Sequence, residues 1–165
     1  MDAVKKFLAG KKGVYAVEAV FILFLMCVVP VLFDYHFAMN DDVLIDSIVS
    51  GRYSGTPDLH NVSMGAPLNA LLCGLNSITS YVPWFALLLL FCQFGCLYLI
   101  FSLLAERMEM GQRWTYLCLF LLNILSFGLL IRETVMVQYT FTAALLMASG
   151  TICLYYMDGE NFFTG

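Results

Sequence analysis

Charged side chains are scarce: Asp, Glu, Lys and Arg make up only 12% of the 165 residues, against 61% hydrophobic. A soluble domain is about a quarter charged. Half that density leaves too few polar groups to cover a water-facing surface, so composition excludes an ordinary soluble domain although the length would allow one. No basic cluster with interleaved aromatics occurs, which argues against a nucleic-acid partner. No Walker loop, dinucleotide fingerprint or catalytic triad is present. The first apolar run has no small-x-small cleavage site after it; its exit reads DYHFAMNDD, so it reads as an uncleaved anchor rather than a signal peptide. The six cysteines lie in apolar or largely apolar stretches, where they behave as small hydrophobes rather than a disulfide framework. Cys92 and Cys96 share a helix face, but two thiols alone make a poor metal site.

What is present is a series of long apolar runs. Lys5, Lys6, Lys11 and Lys12 precede the first of them. From Ala19 to Phe33 it carries no polar side chain, and with Val14 to Val17 it reaches the roughly 20 residues needed to cross a bilayer. Glu18 interrupts it near one end. An acidic residue at mid-helix costs about 3 kcal/mol on an insertion scale, and each Leu, Ile, Phe or Val returns about 0.3 to 0.6, so the run still favours insertion. Pro30 is placed to kink the helix near its far end. Further runs follow at 83–105, 114–131 and 135–157, the last less uniform, with Gln138, Thr140 and Thr142 at its start.

The expected fold is therefore an all-α integral membrane protein. It has four transmembrane helices and two short surface or re-entrant helices in the first outer loop. The divisions are a basic tail at 1–13, a first span at 14–38, an outer loop at 39–82 with helices at 41–50 and 62–79, then spans at 83–105, 114–131 and 135–157. The segment 62–79 is apolar but carries Asn69, Asn76, Pro67, Gly65 and Gly74. It is either a fifth span or a helix on or in the membrane surface. The Lys and Arg bias arbitrates. Without a crossing there, the four lysines, Arg107 and Arg113 share the cytoplasmic side, and Arg52 and Arg132 lie outside. With a crossing the segregation is weaker. The expected topology keeps both ends in the cytoplasm and puts the polar groups of 39–81, together with Arg132, Glu133 and Gln138, on the outer face.

Site candidates gather in MNDDVLIDSIVSGRYSGTPDLHN, from Met39 to Asn61. Asn40 suits an N-cap, and Asp41 and Asp42 suit a first helical turn. At 100° per residue Leu44, Ile45, Ile48 and Val49 form an apolar arc, with Asp42, Asp46 and Ser50 opposite. Asp41 projects into the apolar arc. Gly51 is a plausible C-terminal glycine. The bland reading, two acidic residues opening a solvated helix, competes with a functional one. Asp58 and His60 follow in a turn-rich loop, and with Asp41 and Asp42 they are candidates for a divalent-cation or acid–base site. A loop histidine is more often only a surface residue. Arg132 and Gln138 flank the outer end of the third and fourth spans, where an arginine can fork onto a lipid phosphate or simply snorkel.

The order of these features resembles the N-terminal part of multi-pass glycosyltransferases of the C-type fold: a Lys-rich start, one span, an outer loop opening with an acidic pair on a short helix, a second surface helix, then Pro83-Trp84 opening a span. The runs NDD, SGRYSGTPDLH and VQYTFTAALLMASG are most similar to bacterial membrane proteins of that type. The resemblance covers nearly the whole chain but only the opening portion of such an enzyme, so the chain is expected to be a fragment or truncated member. It implies a bacterial cytoplasmic-membrane protein that transfers a sugar from a polyprenyl-phosphate carrier to an acceptor at the outer face. By position it matches Asp41 to the catalytic acidic residue and Asp42 to its neighbour, with a divalent cation as a possible aid. Arg132, Gln138, His60 and Asp58 are then expected around substrate. The competing expectation is a non-enzymatic membrane protein, an assembly partner or transporter subunit.

Overall fold

The computed structural model describes residues 10–61 and 63–162, with side chains as far as Tyr156. Lys5, Lys6, Val62 and the end Phe163-Thr164-Gly165 lie outside that set. The protein is mostly helical, 76%, with six helices among the described residues. They are α1 (Lys11–Leu32), α2 (Asn40–Val49), α3 (Ala66–Ile78), α4 (Trp84–Arg107), α5 (Gln112–Val135) and α6 (Tyr139–Phe162). Three of them, α1, α4 and α5, are long and apolar enough to cross a membrane. At 1.5 Å per residue their 22 to 24 residues reach about 33 Å or more, against a hydrocarbon layer of about 30 Å. The fourth long helix, α6, matches them in length and carries Thr140, Thr142, Ser149 and Thr151 along it.

The all-α expectation needs one correction. A two-residue strand after α1, β1 (His36–Phe37), pairs in parallel with a two-residue strand after α5, β2 (Met136–Val137). The chain leaves α1 in extended conformation at Phe33 and leaves α5 at Met136, and the pairing satisfies backbone groups freed at both exits. α1 stops at Leu32, six residues before the expected boundary, because Phe33 is already extended (φ −119°, ψ 152°). α5 instead runs past Arg132 and Glu133 to Val135.

The strand pairing fixes helix directions. β1 follows α1 and β2 follows α5, so these helices deliver the chain to the same end of the bundle. α4 runs against α1: Val14 packs with Phe101 and Ala105 at one end, and Ile22 and Val29 with Phe94 and Leu90 further along. α6 runs with α4, since Phe85 meets Tyr139, Gln93 meets Thr142 and Cys96 meets Ser149. The four long helices thus alternate in direction. One end gathers Lys11, Lys12, Arg107 and Arg113. The other gathers β1, β2, α2, α3 and the starts of α4 and α6. All six cysteines are free thiols.

Between α2 and α3 the chain turns on Gly51 (φ 79°) and Gly55 (φ 85°). A Cβ on Gly51 would lie 2.7 Å from the Thr56 and Pro57 backbone, so conformation and space both demand glycine there. Gly51→Ala is expected to cost about 1–3 kcal/mol, as forced backbone strain does. Gly55→Ala meets no atom within 4 Å and carries only its φ penalty. Thermal unfolding of both variants in detergent micelles checks the order; equal losses would show that the Gly51 turn relaxes.

Candidate functional site

The site is built at the strand-bearing end, where α2 lies across the start of α6. α2 opens at Met39, not Asn40: Met39 is the extended cap residue and its carbonyl accepts from the Val43 N–H at 3.4 Å. Asn40 is the first helical residue and makes no side-chain cap bond. Its inner face is Asp42, Ile45, Asp46 and Val49, the i, i+3, i+4, i+7 stripe of one helix side. This corrects the expected arcs. Asp41 is exposed rather than aimed inward, Leu44 is exposed, and both Asp42 and Asp46 are buried, at 3% and 6% exposure.

Asp42 uses its burial. The backbone N–H of Tyr139, the first residue of α6, donates to Asp42 Oδ1 at 3.0 Å. A helix start has backbone N–H groups without intrahelical partners, and a carboxylate there satisfies one and complements the helix dipole. Asp42 Oδ2 is buried with no partner among the described residues. Burial pushes this carboxyl above its ordinary value of 3.8; the Tyr139 N–H pulls the other way, and the Asp41 charge adds to the rise. Asp46 is also raised by burial, against the pull of Arg52, whose Nη1 lies 3.3 Å from Asp46 Oδ2.

The sign follows from linkage. A carboxyl held above its unfolded value stabilises the fold fully below that value, and this contribution is lost as pH rises through the folded value. The wild-type protein is therefore expected to gain stability on acidification from neutral pH towards 4, with Asp46 adding in the same direction. Asp42→Asn keeps an acceptor for Tyr139 and should lose only the Asp42 share of that slope. Asp42→Ala removes the cap and should cost about 1–2 kcal/mol at neutral pH. Denaturation in micelles at several pH values separates the two. A wild-type curve flat over this range would contradict the assignment.

Asp58 and His60 form a local turn of their own. Asp58 Oδ1 accepts from the His60 backbone N–H at 2.9 Å and lies 2.8 Å from His60 Nδ1, contacts that hold the Asp58 carboxyl below its usual range. The His60 ring is 93% exposed. The Asp58 N–H donates to Ile48 O, so this turn sits at the far end of α2 from Asp42, roughly 9 Å along the helix axis. The four candidates do not converge, and among the described residues no three of His, Cys, Asp or Glu could hold a metal ion together. Gln138 is half-buried beside Tyr139, and its carbonyl accepts both the N–H and the hydroxyl of Thr142. Arg132 is exposed in the last turn of α5; among the described residues no ion pair joins it to a carboxylate.

Sequence reading missed the groups that hold this end together. Asn69 is fully buried, and its Nδ2 lies 3.1 to 3.3 Å from the carbonyls of Leu59, Asn61 and Met64, fastening the loop onto α3. The Cys73 thiol reaches Asp58 O at 3.2 Å, and the Tyr35 hydroxyl donates to Ala86 O at 2.9 Å. Beneath them Ile45, Val49, Leu72, Phe85, Leu89 and Val137 form one apolar cluster. The available signal for Asn69 and Asn76 was their spacing of seven with Leu72 and Cys73 between, which is one helix face. Compared with known protein families, curated proteins and solved structures, the chain has no match.

Proposed function

We propose that this protein is a membrane-embedded glycosyltransferase, or a portion of one, that moves a sugar from a polyprenyl-phosphate carrier to an acceptor hydroxyl at the outer face of a bacterial cytoplasmic membrane. The observation that carries the reading is the division of labour in the acidic pair. Asp42 is buried and bonded to the start of α6, which fixes α2 in place, and its neighbour Asp41 is exposed at the same end of the bundle. The acceptor hydroxyl must lose a proton as it attacks the anomeric carbon. A carboxylate within hydrogen-bond reach takes that proton, and Asp41 is assigned as this base. Asp42 is a positioning residue. Arg132 supplies a cation for the phosphate as it leaves. Gln138, His60 and Asp58 border the substrate in this reading.

The topology belongs to the same proposal. We assign four crossings by α1, α4, α5 and α6, with α3 staying on the outer side. Its 13 residues make about 20 Å, short of a crossing, and a crossing there would send α1 and α5 to opposite ends, against the pairing of β1 with β2. The basic residues at the other end favour that end, and the N-terminus, as cytoplasmic.

The test is sugar transfer by the full chain in liposomes supplied with labelled polyprenyl-phosphate sugars and soluble acceptors. Transfer that depends on Asp41 supports the reading; no transfer from any donor by folded protein removes it. A non-enzymatic assembly partner is the second reading, favoured by the fact that the inward carboxylate is spent on holding α6. A partner retained stoichiometrically through purification, without transfer, would favour it.

A further inference from the structure

Inside the bundle, away from the site above, α1 and α5 enclose a second carboxyl. Glu18 is 4% exposed and Asn123 is 2% exposed. Asn123 Nδ2 donates to Glu18 Oε1 at 2.7 Å and to Leu119 O at 2.9 Å, so both amide hydrogens are used and the amide orientation is fixed. Among the described residues the hydrogen bond to the Glu18 carboxyl comes from Asn123. A pocket between the two helices reaches this pair, walled by Phe21, Phe120, Tyr116 and aliphatic groups. Glu18 lies seven residues into α1, about 10 Å from its start.

We propose that Glu18 is a proton-binding site inside the membrane domain, loaded and unloaded through the pocket between α1 and α5. The inference goes beyond sugar transfer and does not rest on it. The argument is one of counter-charge. Among the described residues no Lys or Arg is within ion-pair distance of Glu18. An isolated buried carboxylate is costly, and the cost is removed by a cation or by a proton. One amide N–H cannot replace a counter-ion. The surrounding titratable groups bring no positive charge: the phenols Tyr15, one turn away on α1, and Tyr116 on α5, with Tyr98 and Glu106 of α4 near Tyr15. Beyond Glu18 and Asn123 the pocket walls add only the Tyr116 hydroxyl as a polar group and no second carboxylate to hold a larger organic cation, so the proton is the ligand that the site fits.

A neutral carboxyl in an apolar setting reacts with an apolar carbodiimide. The acid proton moves to one carbodiimide nitrogen, and the carboxylate oxygen bonds to the central carbon. The O-acylisourea then rearranges to an N-acylurea; nothing leaves, and the protein gains the whole reagent mass. The experiment is dicyclohexylcarbodiimide labelling of the full chain in liposomes from pH 5 to 9, read by intact mass and peptide mapping. The expected result is one adduct on Glu18, falling by about tenfold per pH unit once the acid ionises, with little adduct from a water-soluble cationic carbodiimide. Glu18→Gln should abolish it. Asn123→Leu, which removes the one donor to the carboxylate, should extend labelling to higher pH. A merely structural polar contact would not move that profile. No adduct on Glu18 in folded wild-type protein, labelling only at Asp42 or Asp46, equal labelling by the water-soluble reagent, or an Asn123→Leu profile identical to wild type would each overturn the proposal.

Discussion

Replacing Asp41 with Asn is expected to lower the rate of sugar transfer by about 100- to 10,000-fold, the usual worth of a positioned general base, at unchanged protein level. The substitution keeps size and hydrogen-bonding capacity, and the side chain is exposed, so no packing is lost. What is lost is the ability to accept a proton from the attacking hydroxyl. Two further results make the assignment specific. The rate constant for the chemical step should fall with little change in KM, because a base acts in the transition state rather than in ground-state binding. Added formate should restore part of the rate to Asp41→Ala, where a small carboxylate can enter the vacated position, and not to Asp41→Asn. Asp42→Asn provides the contrast: its oxygen still accepts from Tyr139, so its loss should be roughly tenfold or less. If Asp41→Asn transfers sugar like the wild type and Asp42→Asn does not, the roles given to the two carboxylates are reversed.

The long helices were legible because hydrophobic runs report directly on span length, and little else competes with them. Their ends were less so. The first span was expected to reach 38, yet the chain leaves the helix after Leu32 to pair His36–Phe37 with Met136–Val137, a contact across 100 residues that no local pattern carries. The orientation of α2 failed for a different reason. Leu44, Ile45, Ile48 and Val49 were set opposite Asp42, Asp46 and Ser50, but at 100° per residue Asp42 falls only about 20° from Val49, so the two arcs adjoin and Ile45, Val49, Asp42 and Asp46 share one side. Along that shared side the polar groups gain most from protein partners. So Asp42 and Asp46 turn inward to Tyr139 and Arg52, and Val43 and Leu44 remain exposed. Glu18 shows the same logic. It read as an interruption of a span, and its partner Asn123 was one polar residue among many in another apolar run. Only the crossing of α1 and α5 brings them to 2.7 Å.

Phe85→Ala is expected to produce the largest loss of stability, about 3–5 kcal/mol, as for other fully buried phenylalanines cut to alanine. Phe85 is 0% exposed in the first turn of α4 and joins three elements. Its ring stacks on Phe37 of β1 at 5.7 Å, meets Tyr139 of α6 at 6.5 Å, and belongs to the cluster that carries Ile45 and Val49 of α2. The cavity left by truncation therefore opens directly under the Asp42–Tyr139 bond. Two measurements follow. The unfolding midpoint in micelles should drop far more than for Leu129→Ala, a residue 73% exposed on α5. Hydrogen exchange at the Tyr139 amide should speed up more than at amides in the middle of α5, because the bond from Tyr139 to Asp42 depends on the support beneath it. Phe85→Leu, which keeps most of the volume, should fall between the two. A Phe85→Ala protein that unfolds with wild-type midpoint, or one whose Tyr139 amide stays as protected as before, would mean that α2 is held in place by something other than this aromatic junction, and the fixed position assigned to Asp41 would lose its physical basis.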